Sequence, residues 1–402
     1  MPQLTEAANL PLPPFNGTFG VFNDTTIRQT VRLSVGGDIL RIRLSNAFGA
    51  TDLPITAMTI AHPIPAVNQS IGIPEIEPSS VQYVTFSGSR NFTIPDQSLI
   101  VSDPIHFPVK DLSTISLSIY LADGQALFNI SSHPGSRVSS WLTFGNHVAD
   151  RNITVTNVTT QEIFHWYYIS AVEVWAPPPT SAFAVVGDSI TDGRSSDNNG
   201  NNRWTDIVAE RMLANPSTKD ISMLNQAAGG NRILYDGNGP NALSRIERDV
   251  IAQSGVKYAM IFEGVNDIGT AATTVEAQNA VADRVIAAYK QIVTRVHTFG
   301  IPMFAATITP FGCPNTTIQP YSDPTREMAR QKVNKFIRES GIFDAVIDFD
   351  AWIRNPANHT ENNPKLNSGD CLHPNVAGYK LLGDNFPLEI FDKFKDGVNT
   401  FS

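Results

Sequence analysis

Three consecutive prolines, Pro177-Pro178-Pro179, divide the chain into two stretches of different hydrophobic rhythm, and that change limits the folds open to it. Upstream, apolar and polar residues alternate at 39–44 (Ile-Leu-Arg-Ile-Arg-Leu), 81–86, 115–121 and 168–175. Gly36-Gly37, Asp123-Gly124 and many prolines punctuate these runs. A period of two puts every second side chain on one face of a sheet. Short half-buried strands at this spacing predict an all-β antiparallel sandwich, jelly-roll-like, over residues 1–178.

Downstream, short apolar runs at 183–186, 223–224, 258–262, 303–308 and 345–349 alternate with amphipathic stretches. Residues 275–299 carry Val281, Val285, Tyr289, Ile292, Val296 and Phe299 at spacings of three and four, one face of a helix. Thr273 and Glu276 read as a capping box ahead of it. Asp323-Pro324 reads as an N-cap followed by proline in the first turn. Alternation of β and α predicts a second domain, 179–402, built on a parallel sheet with helices on both faces. In such sheets reactive groups gather beyond the carboxyl ends of the strands.

With 402 residues, 42% hydrophobic and 17% charged, the chain can bury more than one core. A net charge of -9 and the lack of any Lys/Arg run argue against a nucleic-acid partner. No apolar stretch reaches the length of a membrane-spanning helix, so no membrane partner is expected. The first residues lack the charged start and apolar segment of a signal peptide, which leaves a cytosolic chain or a mature one without its leader. Asn-x-Ser/Thr acceptors at Asn16, Asn23, Asn68, Asn91, Asn129, Asn152, Asn157, Asn315 and Asn358 favour secretion with N-linked glycans. Cys313 and Cys371 permit one disulfide; two free buried thiols are the alternative, which the acceptors disfavour. The eight histidines show no paired ligand spacing and Cys-x-x-Cys is absent, so no metal or cofactor is expected.

Chemistry concentrates at four places. Ser189 follows the apolar run in Val185-Val186-Gly187-Asp188-Ser189, and Asp370-Cys371-Leu372-His373 lies far downstream. A serine hydroxyl needs a base to take its proton as it attacks, and an imidazole needs a partner to hold its other N–H. Ser189, His373 and Asp370 fit those three parts. The backbone N–H groups of Ser189 and Gly230 and the side-chain amide of Asn266 are candidate donors to an oxyanion. A Cys313–Cys371 bridge would pin the Asp-x-x-His turn to a neighbouring strand end. Asp188 and Asp267 read as carboxylates that bind local backbone. Arg194, Arg203, Trp204 and Arg232 read first as packed or paired side chains, with substrate contact as the alternative.

Gly187-Asp188-Ser189, Gly230, Gly264-Val265-Asn266-Asp267 and Asp370–His373 resemble, in order, the four blocks of the SGNH (GDSL) hydrolases. The resemblance covers about the C-terminal half, from Ala182 to Phe391. It implies a three-layer α/β/α sandwich around a parallel sheet, flavodoxin-like, and ester hydrolysis through an acyl-enzyme without a metal. Thr191 replaces the second glycine of a Gly-x-Ser-x-Gly elbow, so the α/β-hydrolase pattern is absent. A β-sandwich ahead of such a domain resembles two-domain carbohydrate esterases, which implies a small ester or acylated carbohydrate as substrate. A lipase or arylesterase of the same family, and a catalytically silent carbohydrate-binding protein, are the competing readings.

Overall fold

A computed structural model of the chain describes residues 3–154 and 159–401. The chain divides into two compact units, one running to Pro177 and taking in Asn198–Gly200, the other holding Pro178–Asp197 and the chain from Asn201 on.

In the first unit, a six-stranded antiparallel sheet has Thr25–Arg32 and Thr114–Leu121 at its centre. A second antiparallel sheet pairs Gly37–Ser45 with Ile105–Val109, Ile169–Val174 and Leu99–Val101. Ile27, Ile60, Leu117 and Ile119 from one sheet share a core with Leu40, Ile42 and Leu44 from the other, which makes a sandwich. Of the stretch 81–86 only Gln82–Tyr83 pairs as a strand. Val84 and Phe86 keep the alternation because both side chains are buried, but their backbone turns into a Phe86–Ser89 bridge.

In the second unit, five parallel strands lie in the order Ile221–Ala227, Ser181–Gly187, Val256–Phe262, Met303–Ala306, Ala345–Ile347, within a three-layer α/β/α sandwich. The chain leaves Ser181–Gly187 for one neighbour and returns to pair its other side, so this strand marks the topological switch point. Gly187 is level with both Ala227 and Phe262, so the loops after all three strands open at one height. Helix Val275–His297 buries Val281, Val285, Tyr289, Ile292 and Val296 as its spacing predicts. Its cap, however, is Thr274, which accepts from the Ala277 N–H, in place of the Thr273–Glu276 box. The helix stops at His297, which leaves Phe299 61% exposed and off the stripe. Asp323 caps Pro324–Glu339 as expected, accepting the Thr325 N–H at 2.8 Å. The last strand is shorter than its apolar run, because Asp348 caps a helix that starts at Phe349. Among the described residues no helix is long and apolar enough to cross a membrane.

Candidate active site

Strand Ser181–Gly187 is buried almost throughout and ends in a turn that Asp188 organises. The Asp188 carboxylate accepts the Ile190 N–H at 2.9 Å and caps the short helix Ser189–Asp192. Ser189, only 7% exposed, thus opens that helix. Its Oγ lies 2.7 Å from His373 Nε2. His373 Nδ1 lies 2.6 Å from Asp370 Oδ2, so the three side chains form one hydrogen-bonded relay.

The other Asp370 oxygen accepts the N–H groups of Leu372 and His373 at 2.9 and 2.8 Å and the Ser368 hydroxyl at 3.0 Å. Burial opposes ionisation here, but the hydrogen bond and charge of His373 and these backbone donors outweigh it and hold the carboxyl well below its ordinary value. The turn is tight: Cys371, between the two, takes a left-handed φ of 60°. A disulfide joins it to Cys313, with a Cα–Cα distance of 5.6 Å.

Gly230 follows strand Ile221–Ala227 at φ +70°, and a Cβ there would fall 2.6 Å from Asn238 Nδ2, so both conformation and space call for glycine. No protein acceptor takes the Gly230 or Ser189 N–H among the described residues. The Asn266 amide donates one Nδ2 hydrogen to the Asn231 carbonyl at 2.9 Å, which leaves its second hydrogen free. Two further bonds tie these loops together. Asp192 accepts the Gly229 N–H at 3.1 Å, and Ala228 N–H donates to the Gly187 carbonyl at 3.0 Å. Asp267 is spent on backbone, accepting the Ile233 and Leu234 N–H groups at 2.8 and 3.0 Å.

Of the possible substrate contacts, Arg203 and Trp204 are buried. Arg203 donates to the Asp192 carbonyl at 2.8 Å, and the Trp204 ring packs edge-on against Phe349 at 5.3 Å. Arg194 is exposed, and Arg232 is half-buried with its guanidinium on the Asp236 carbonyl.

Sequence reasoning missed Arg245. It is fully buried and donates to the carbonyls of Gly187 and Gln226 at 3.2 and 2.6 Å and to Asn231 Oδ1 at 2.9 Å. One guanidinium thereby braces the strand ends from which the Ser189 and Gly230 loops spring. Its signal was an arginine in the short segment 242–246, whose neighbours Ala242 and Ile246 are apolar and buried.

Arg245 also pairs with Asp249 at 3.1 Å and approaches Glu263 at 3.6 Å. Among the described residues the Glu263 carboxyl accepts no hydrogen bond, and burial pushes its pKa up to about 8, with Arg245 opposing and Asp188 and Asp267 reinforcing. At 3.6 Å, with Arg245 already committed to Asp249 and carbonyls, the ion pair does not offset the burial of a charge. An unfolded glutamate ionises near 4.3, roughly. Folding therefore retains a proton that the unfolded chain releases, and stability falls as pH rises from that value through about 8. Glu263→Gln is expected to melt above wild type at pH 8, with the gap shrinking by pH 5. Parallel melting curves across that range check it.

A parallel α/β/α sandwich with a serine–histidine–carboxylate relay beyond the strand at its topological switch point is the architecture of a hydrolase. The sequence profile of the GDSL-like Lipase/Acylhydrolase family matches residues 183–386, just over half of the chain. The chain belongs to that family and is an ester hydrolase. No curated protein sequence matches it. Among solved structures it is similar to the acetylxylan esterase Axe2 from Geobacillus stearothermophilus, with 23% identity over 52% of this chain and 94% of that one and a TM-score of 0.39. It is also similar to a GDSL-like lipase from Bacteroides thetaiotaomicron, with 15% identity, 53% and 89% coverage and a TM-score of 0.39. A carbohydrate acetylesterase family member from Sinorhizobium meliloti gives 12%, 51% and 94%, again at 0.39. These likenesses are too slight to bear on substrate.

Proposed function

We propose that the chain is a secreted serine esterase that removes short acyl groups, acetyl foremost, from carbohydrate. Ser189 Oγ attacks the acyl carbonyl carbon while His373 Nε2 takes the hydroxyl proton, and Asp370 holds the imidazolium. The carbonyl oxygen, now anionic, accepts hydrogen bonds from the N–H groups of Ser189 and Gly230 and from Asn266 Nδ2. Collapse of the tetrahedral intermediate expels the alcohol, which takes the proton back from His373. Water then repeats the sequence on the acyl-enzyme and releases the acid and the free serine. Base catalysis contributes roughly a hundred- to ten-thousand-fold and the oxyanion donors a comparable share.

The observation that carries this reading is the unbroken relay of 2.7 and 2.6 Å from Ser189 through His373 to Asp370. Residues 1–178 serve as an accessory β domain, jelly-roll-like, and 179–402 as the catalytic domain. Secretion draws support from the Cys313–Cys371 bridge, which suits an oxidising compartment. It draws support too from the acceptor asparagines, of which Asn16 and Asn152 are half-buried and Asn23, Asn68, Asn91, Asn129, Asn315 and Asn358 exposed. Asn157 lies outside the described residues.

A panel of esters tests substrate class. Acetyl esters of an activated phenol and acetylated polysaccharide are expected to turn over, and octanoyl esters to be rejected sterically. Preference for octanoyl would favour a lipase, and glycan binding without acid release a silent binding protein.

A further inference from the structure

We infer that Tyr321 is a positioning residue for the reaction, acting through Asn266; this rests on the esterase reading above. The two ends of an asparagine amide are nearly equal in size, so only its hydrogen bonds decide which end faces the oxyanion. The Tyr321 hydroxyl donates to Asn266 Oδ1 at 3.1 Å, while Nδ2 donates to the Asn231 carbonyl at 2.9 Å. With Oδ1 held by a donor, the free Nδ2 hydrogen is the one left for substrate. A flipped amide would instead aim a carbonyl dipole at the developing negative charge. Loss of the phenol leaves Oδ1 without its donor and the amide held by the Asn231 bond alone, so that it is less firmly oriented.

The phenol is held in place on several sides. Gly269 lies one turn along the helix from Asn266, and a Cβ there would fall 2.3 Å from the Tyr321 ring, so the glycine makes room for it. Phe311 meets the ring edge-on at 6.4 Å. The Tyr321 N–H donates to Gln319 Oε1 at 3.1 Å, and Gln319 Nε2 donates to the Asp370 carbonyl at 3.0 Å. Next in the chain, Ser322 Oγ bonds Cys313, whose sulfur is bridged to Cys371. The segment from Cys313 to Ser322 therefore braces the acid–base turn at one point and the oxyanion amide at another. Burial, reinforced by Asp188, raises the Tyr321 pKa, so the phenol remains a donor across the neutral range.

The test is a double-mutant cycle on an acetyl ester. Tyr321→Phe is expected to lower kcat about five- to twenty-fold, the scale of one lost hydrogen bond, with KM within about twofold. Asn266→Ala is expected to cost on the order of a hundred- to a thousand-fold. In the Asn266→Ala background, Tyr321→Phe should add less than about twofold, because the residue through which it acts is gone. Gly269→Ala, which displaces the ring while keeping the hydroxyl, should reproduce the kcat loss and give a second route if either variant folds poorly. Wild-type kcat in folded Tyr321→Phe, or an undiminished effect in the Asn266→Ala background, overturns the inference. Activity surviving in Ser189→Ala would instead overturn the esterase mechanism beneath it.

Discussion

Ser189→Ala is expected to lose about four to six orders of magnitude in kcat on acetyl esters, with little change in KM or melting temperature. The hydroxyl is the only atom removed. Ser189 sits at the head of a short helix that Asp188 caps through its own carboxylate, so the turn does not depend on that oxygen. What disappears is the attacking atom 2.7 Å from His373 Nε2. The residual rate comes from direct attack of water on the carbonyl while the oxyanion donors stabilise its oxygen, which is why the loss has a floor. Initial-rate kinetics on purified wild type and variant check it, and a loss under about tenfold would mean that Ser189 is not acylated.

The second large effect is Asp370→Asn, for which a drop of about a thousand- to ten-thousand-fold in kcat is expected near neutral pH. Asparagine can still accept the Leu372 and His373 N–H groups through its one oxygen, so the turn survives. Its amide nitrogen then faces His373 Nδ1 and donates to it. That bond selects the tautomer with its proton on Nε2, which points a hydrogen at Ser189 and cannot take one. Normal melting with the rate lost is the expected pair of results. A loss below about tenfold would show that something other than this carboxylate orients the ring.

The site was legible from sequence where chemistry lies in short contiguous motifs. Asp370 and His373 share one turn, and Ser189, Gly230 and Asn266 each follow a strand, so local pattern and parallel-sheet topology together bring them near one another. The bracing residues were not legible. Tyr321 meets Asn266 across 55 positions and Gln319 meets Asp370 across 51, contacts that no periodicity encodes. Arg245 was hidden for the same reason.

The fold followed the same division. Alternating strands such as Gly37–Ser45 were readable because one face is wet, whereas Thr25–Arg32, the centre of the larger sheet, is mostly polar and shows no such alternation. Thr25, Thr26, Arg28, Gln29 and Thr30 are all buried there. Arg28 is satisfied by Ser118 at 2.8 Å and by the carbonyls of Pro74 and Asp150 at 2.7 and 2.8 Å, partners 46 to 122 positions away. Tertiary hydrogen bonds overrode composition at that strand. At the helix ends, the choice between Thr273 and Thr274 turned on a single residue of register, which pattern reading does not resolve.

Labelling by a sulfonyl fluoride, followed by peptide mass spectrometry, tests most directly whether the Ser189 oxygen is an activated nucleophile. Activity should fall in proportion to a single modification on the peptide carrying Ser189, and His373→Ala should label far more slowly. Modification of another residue with loss of activity, or full activity in protein labelled at Ser189, would contradict the account.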